Sequence, residues 1–311
     1  LHAFLIFVKI SKLSTFKAQI NKKMSERNFK IIECPRDAMQ GWKDFIPTDS
    51  KIDYINRLLT VGFDTIDCGS FVSPKAIPQM ADTKEVLDNL NKSQSKSKLS
   101  VVVANKSGAV KGAEHEKVDI IGFPFSISEQ FQQYNTNKGQ QESFDQIKEI
   151  NQIAIDNGKQ LLIYLSMAFG NPYGETWNEE LVTSWSRKFA DIGITSINLS
   201  DTIGVAKADT IDSLFQNLVP LYPEIEFGAH FHTVYSEWNE KVKTAYNNGC
   251  RKFDGAIKGL GGCPMSKSNM VGNMPTEKLI TFANEHKEKH GLNLFDFESA
   301  WNVSLKTFGL I

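Results

Sequence analysis

Gln160-Leu-Leu-Ile-Tyr-Leu-Ser-Met167, Ile194-Thr-Ser-Ile-Asn-Leu-Ser200 and Glu226-Phe-Gly-Ala-His-Phe-His232 are three apolar runs in the middle of the chain; the segments between them, 177–192 and 209–219, carry apolar residues at helical spacing. Short apolar runs bounded by turn residues read as strands, and longer amphipathic stretches as helices. Strand, helix, strand in succession requires a crossover, which makes neighbouring strands parallel and the connection right-handed. On either side of this stretch the pattern continues, with strands predicted at Phe29–Glu33, Thr65–Gly69, Leu99–Ala104, Val118–Gly122 and Lys252–Ala256 and helical stretches at 81–90, 142–157, 236–248 and 276–289. In Asp49-Ser-Lys-Ile52-Asp-Tyr-Ile55-Asn-Arg-Leu58-Leu59 the apolar residues again recur at helical spacing, with Asp49 able to cap the start and Gly62 the stop. Eight such units are the number that closes a barrel, so the sequence predicts an α/β chain folded as a single (β/α)8 TIM barrel. An open doubly wound sheet would want a glycine-rich phosphate turn after an early strand, and none is present. The polar run Asn91-Lys-Ser-Gln-Ser-Lys-Ser-Lys98 reads as a solvated connector.

The chain has 311 residues, 41% hydrophobic and 23% charged, enough apolar material for a large core. Its 35 Lys+Arg balance 36 Asp+Glu, so it lacks the basic excess that neutralises nucleic-acid phosphates, and no nucleic-acid partner is expected. The longest apolar run, near Leu161 to Leu165, falls far short of the roughly 20 residues of a membrane-spanning helix, and no membrane partner is expected. Cys34, Cys68, Cys250 and Cys263 form no CxxC pair, which suits a reducing, cytoplasmic setting. Residues 1–23 hold five lysines and no acid before Met24-Ser-Glu26; we read them as an N-terminal extension outside the fold, a mitochondrial presequence being the alternative. The barrel is expected over 24–290. A C-terminal extension over 291–311, with Phe295, Phe297, Trp301 and Phe308, is expected to pack either on the barrel or against a partner subunit.

In a barrel of this kind, functional residues belong at the carboxyl ends of the strands. That is where the reactive types gather: Glu33-Cys-Pro-Arg36-Asp37-Ala-Met-Gln40 after the first strand, Asp67-Cys-Gly-Ser70 on the second, Asn198-Leu-Ser-Asp201 on the sixth, His230-Phe-His232 on the seventh, and Gly259-Leu-Gly-Gly-Cys263-Pro after the eighth. Side chains two apart on a strand point the same way about 6–7 Å apart, so His230 and His232 can share one metal ion, with Asp37 and Asn273 completing a mixed N/O set. The plainer alternative is a pair of buried, hydrogen-bonded histidines. Arg36, read at the end of an inner strand, needs an anion, either a substrate or an internal partner such as Asp67 or Asp201. Both aspartates have the same plain alternative of holding other groups in place. Cys263 sits on a glycine- and proline-punctuated loop from which a thiol can reach a ligand.

Pro35-Arg36-Asp37 with Gln40, Ser70-Phe-Val-Ser-Pro-Lys75 with Pro78-Gln-Met80, Asn171-Pro-Tyr173-Gly, Ser200-Asp201-Thr-Ile-Gly204, His230-Phe-His232 and Gly259-Leu-Gly-Gly-Cys263-Pro with Gly272-Asn273 together resemble the 3-hydroxy-3-methylglutaryl-CoA lyases, in order and spacing, from about Phe29 to Leu279. The Arg-Asp and HxH elements are shared with wider Claisen-type barrels; the SFVSPK and cysteine-loop elements are narrower. The resemblance implies Mg2+ or Mn2+ held by Asp37, His230, His232 and Asn273. It implies cleavage of the acyl-CoA substrate to acetoacetate and acetyl-CoA, with Arg36 stabilising the enolate and Cys263 carrying its proton. Asp67 and Asp201 then take supporting or acid/base roles, Gln40, Ser70 and Tyr173 bind substrate, and the protein is a homodimer. The chain departs from the family pattern at Thr233, where aspartate usually follows HxH, at Asp67, where glutamate is usual, and by one additional residue between Cys263 and Asn273. A lyase for a related 3-hydroxyacyl-CoA, a Claisen-type condensing enzyme and a non-catalytic barrel scaffold are the competing readings.

Overall fold

The computed structural model describes residues 28–262 and 271–311. Its strands are β1 (Lys30–Glu33), β2 (Thr65–Ser70), β3 (Lys98–Val102), β4 (Ile120–Ser126), β5 (Gln160–Ser166), β6 (Ser196–Asp201), β7 (Glu226–Phe231) and β8 (Lys252–Gly255). They pair in parallel in chain order and close into a barrel, β8 meeting β1 from Lys30↔Lys252 to Glu33↔Gly255. The predicted TIM barrel is the fold observed. Among the strands the largest boundary difference is at β4, which continues four residues past Gly122 through Phe123-Pro-Phe-Ser126, paired with β5 throughout. Pro124 is tolerated because the pairing with β3 has already ended at Val102↔Gly122.

Around the barrel lie α1 (Pro35–Gln40), α2 (Thr48–Val61), α3 (Thr83–Asp88), α4 (Lys106–Glu114), α5 (Glu129–Thr136), α6 (Gln140–Asp156), α7 (Glu179–Asp191), α8 (Ala208–Leu221), α9 (Trp238–Asn247), α10 (Thr276–Glu285) and α11 (Leu294–Thr307). Of the two placements open for the C-terminal segment, the structure shows it on the barrel's own flank. Asn293 caps α11 by accepting from the backbone of Phe295 and Asp296, and its own N–H donates to Val61 O at 2.8 Å. Phe308 is buried, edge-on to Trp42 and Tyr54 with ring centroids 5.0 and 6.1 Å away. Burying such a ring contributes about 1.5–3 kcal/mol. It also braces Trp42, two residues past the helix that carries Arg36 and Asp37.

Two features position the rim. Glu33, fully buried at the end of β1, accepts from Ile257 N at 3.0 Å and from the Thr276 hydroxyl, tying β1 to both flanks of the glycine-rich segment. Burial pushes its carboxyl up to about 8, with those hydrogen bonds opposing only in part. Between Asp67 and Gly69 the β2–β3 register shifts, a bulge beside the future site. Among the described residues no helix is long and apolar enough to cross a membrane.

Candidate metal centre and active site

The strand-to-helix turn after β1 carries the first two functional residues. Cys34 occupies the N-cap position and Pro35 the first helical position, a place that suits proline because its missing N–H would have no partner there. Arg36 and Asp37 therefore stand in the first turn of α1 rather than at the end of the strand, where the sequence reading had put Arg36. The Arg36 guanidinium is buried. Its Nε and Nη2 both donate to Asp67 Oδ2, at 3.0 and 2.5 Å, and its Nη1 donates to Asp37 Oδ1 at 2.9 Å. Of the two internal partners considered for Arg36, the structure supplies Asp67. Gln40, one turn along, donates to the same Asp37 Oδ1 at 2.6 Å.

Those two donors occupy one oxygen of Asp37. The other, Oδ2, is buried with no hydrogen-bond partner among the described residues. His232 lies just past β7 with its Nδ1 3.0 Å from Thr202 O. A carbonyl can only accept, so that contact fixes the proton on Nδ1 and leaves Nε2 as a lone pair, which is also buried and unpartnered. His230 has its Nδ1 2.9 Å from Asp254 Oδ2, which leaves its Nε2 as the remaining ring nitrogen. The two imidazole centroids are 5.2 Å apart, and one ligand atom each from Asp37, His230 and His232 lies within 4.8 Å of the others. Two buried acceptors in one cluster with no donor among the described residues are costly. A cation between them removes that cost, so this N/O donor set fits a divalent metal ion.

The electrostatics agree. Burial works to raise the Asp37 carboxyl, but Arg36, then His230, His232 and the nearby Asn273 amide hold it below its ordinary value. Burial, reinforced by His230, lowers His232 and favours the neutral imidazole a metal needs. Burial also acts to lower His230, but the Asp254 hydrogen bond and charge outweigh it and leave it raised. At Asp67 burial prevails over Arg36 and the carboxyl is raised.

The other predicted residues fall at varying distances from this cluster. Asn273 bridges His232 through the backbone and donates its side-chain amide to Leu260 O at 2.8 Å, which places it beside Asp37. The glycine-rich segment presses on the same spot: Gly261 has φ +89°, and a Cβ there would come within 2.5 Å of Asp37 O. Ser70, buried at the end of β2, takes its N–H to Thr83 Oγ1 and its hydroxyl caps Val72 N. Tyr173 lies in the loop after β5, its ring centroid 6.5 Å from that of Phe131. Asp201 is engaged elsewhere, accepting from Lys241 Nζ at 2.8 Å and from the N–H groups of Val205 and Ala206. Cys263 lies outside the described residues.

Sequence reasoning missed Lys241, whose buried ammonium also binds Gly204 O and His232 O and so ties the ends of β6 and β7 together. It gave Asn198 no partner and missed Thr202 and Asp254. Asp254 had a legible signal: it stands two residues beyond Lys252 on β8 and alternates with Phe253, the pattern of a residue facing the barrel interior.

A profile of the HMGL-like family matches residues 28–303. The chain belongs to the HMGL-like family. It is 33% identical over 278 residues to the 3-hydroxy-3-methylglutaryl-CoA lyase, cytoplasmic, of Homo sapiens, covering 89% of this chain and 74% of that protein. It is 30% identical over 269 residues to a hydroxymethylglutaryl-CoA lyase of Bacillus subtilis, covering 86% of this chain and 88% of the relative. Among solved structures, an HMG-CoA lyase from A. baumannii in complex with coenzyme A and 3-methylmalate superposes with TM-score 0.84 at 30% identity, covering 91% of this chain and 92% of that one. The barrel observed here is the fold shared with these HMG-CoA lyases.

Proposed function

We propose that this chain cleaves 3-hydroxy-3-methylglutaryl-CoA to acetoacetate and acetyl-CoA with a divalent cation, Mg2+ or Mn2+, held by Asp37, His230, His232 and Asn273. The observation that carries the reading is that Asp37 and His232, two of the three residues of one ligand cluster, each hold a buried acceptor, Oδ2 and Nε2, with no hydrogen-bond partner among the described residues. The cation, when bound, supplies positive charge that makes a neighbouring alcohol easier to deprotonate. In the cleavage the tertiary alcohol gives its proton to a base and its oxygen becomes the ketone of acetoacetate as the bond between C2 and C3 breaks; the electron pair of that bond passes to the thioester enolate, whose carbon then takes a proton.

Arg36 is the group for that enolate oxygen, a permanent cation pre-aimed by Asp67 and Asp37 and shielded from water. Asp67 and Asp201 serve as supporting carboxylates in this reading, because each already holds a buried cation, Arg36 and Lys241 respectively. Cys263 returns a proton to the enolate, and Gln40, Ser70 and Tyr173 contact the acyl-CoA. The protein acts as a homodimer in the cytoplasm in the same reading, which light scattering and cell fractionation test.

The decisive assay is acetoacetate formation from the acyl-CoA, run with Mg2+ or Mn2+ and again with a chelator. Turnover that the chelator abolishes and metal restores is the expected result. Full turnover in chelator, or none with either metal, rejects the proposal.

A further inference from the structure

The interior of the barrel on the β6–β8 side holds a column of polar groups that the reaction outlined above does not use. At its lower end Lys252 is buried and donates to Ser196 Oγ at 2.7 Å. Above it Asn198, fully buried on β6, donates its amide nitrogen to both carboxylate oxygens of Asp254 on β8, at 2.9 Å each. Asp254 Oδ2 also lies 2.9 Å from His230 Nδ1 on β7. Three strands thus meet in one chain of contacts ending on a predicted metal ligand.

The direction of the Asn198 amide is fixed by its surroundings. The reversed amide would set its carbonyl against a carboxylate, acceptor against acceptor. The orientation observed aims the nitrogen at Asp254 and the oxygen away from it. Gly228 on β7 makes the room: a Cβ there would come within 2.3 Å of Asn198 Oδ1 and 2.5 Å of Lys252 Cε. A side chain at that position would displace the amide from the column.

We propose that Asp254, oriented by Asn198, is a positioning residue that holds the His230 ring and keeps its proton on Nδ1, so that Nε2 is presented to the cation as a lone pair. The inference rests on the cation reading above for its consequence, though not for its geometry. A carboxylate can only accept, so it selects the Nδ1–H tautomer; an amide in its place can donate to Nδ1 and favour the wrong one. Loss of such an outer partner lowers metal affinity by about 10–100-fold.

The test uses the full chain with 15N-labelled histidine, in wild type, Asp254→Asn and Asn198→Ala. Ring-nitrogen NMR of the metal-free proteins reads the tautomers, and Mn2+ titration followed by EPR reads affinity. The expected result is an Nδ1–H tautomer for His230 in the wild type, a shifted or mixed tautomer in Asp254→Asn with Mn2+ bound about 10–100-fold more weakly, and a smaller weakening in Asn198→Ala. His232, held independently by Thr202 O, keeps its tautomer in all three and separates positioning from general disorder.

An Nε2–H tautomer at His230 in the wild type overturns the inference. So does Mn2+ affinity in Asp254→Asn within about twofold of wild type, given the size of outer-partner effects. A His232 signal that moves together with His230 overturns it as well. If the wild type binds no Mn2+, the cation reading fails while the wild-type tautomer still decides the positioning claim. If Asp254→Asn does not fold, Asn198→Ala and the wild-type spectrum carry the test.

Discussion

The two halves of the barrel interior are built from opposite materials. On the β3–β5 side Val102, Ile120, Leu162 and Tyr164 form a small apolar cluster of their own, apart from the main core between strands and helices. On the β6–β8 side Ser196, Asn198, Ser200, His230, Lys252 and Asp254 are buried, with directed hydrogen bonds from Lys252 to Ser196, from Asn198 to Asp254 and between Asp254 and His230. Apolar burial is non-directional and its loss scales with volume; a buried polar network fails when any one partner is removed. One half can therefore give way gradually, while the other holds each functional nitrogen and oxygen at a fixed orientation. Two of the candidate metal ligands, His230 and His232, belong to the polar half.

Substitutions in each half should fail differently. The largest effect is expected at the rim beside both halves, at Arg36→Gln, which removes the cation aimed at the enolate and leaves Asp67 and Asp37 without their shared partner. Turnover per folded molecule should fall by about 100-fold or more, the scale of losing one oxyanion donor. Turnover close to wild type would mean that Arg36 serves only to balance the buried aspartates. In the apolar half, Leu162→Ala should cost about 2–5 kcal/mol in denaturant unfolding while leaving Mn2+ affinity untouched. If affinity fell in parallel, the two halves would be mechanically one.

On the outer side of the wall, Glu33 against Tyr54 and Thr276 gives a pH signature. Its folded carboxyl titrates at about 8 against an ordinary 4.5, so across that window the native state binds the extra proton. Stability then falls as pH rises through the window, by at most about 1.4 kcal/mol per unit, and levels off above it. Glu33→Gln should flatten this slope; an unchanged slope in the variant would place its origin elsewhere. The smallest effect belongs to Tyr164→Phe, at the seam between the halves, where the ring stands 5.7 Å from that of His230 and the hydroxyl has no hydrogen-bond partner among the described residues. Removing that hydroxyl should raise stability by about 1 kcal/mol, and a loss instead would reveal a partner.

The sequence disclosed the strands because their apolar, often β-branched runs break sharply at turn residues. Helix α4 escaped because its buried face is Gly108, Ala109, Gly112 and Ala113, residues too small to register as an apolar stripe. Helix α5 is short and polar, with only Phe131 and Gln132 buried. Helix α1 escaped because Pro35-Arg36-Asp37 carries no apolar periodicity, although a proline at the first helical position was there to be read. At the candidate site, Asp37, His230 and His232 were legible from residue type and placement at strand ends. Which aspartate pairs with Arg36, and that Lys241 takes Asp201, depend on contacts across the barrel that no local pattern encodes. Asn198 and Asp254 lie 56 positions apart, and their contact follows from the registers of β6, β7 and β8 together.

Anomalous diffraction from crystals soaked in Mn2+ tests the shared-cation claim most directly. The account predicts a single strong peak in contact with Asp37 Oδ2, His230 Nε2 and His232 Nε2, lost in Asp37→Ala. A well-ordered site with those three atoms in place and no peak between them would contradict it.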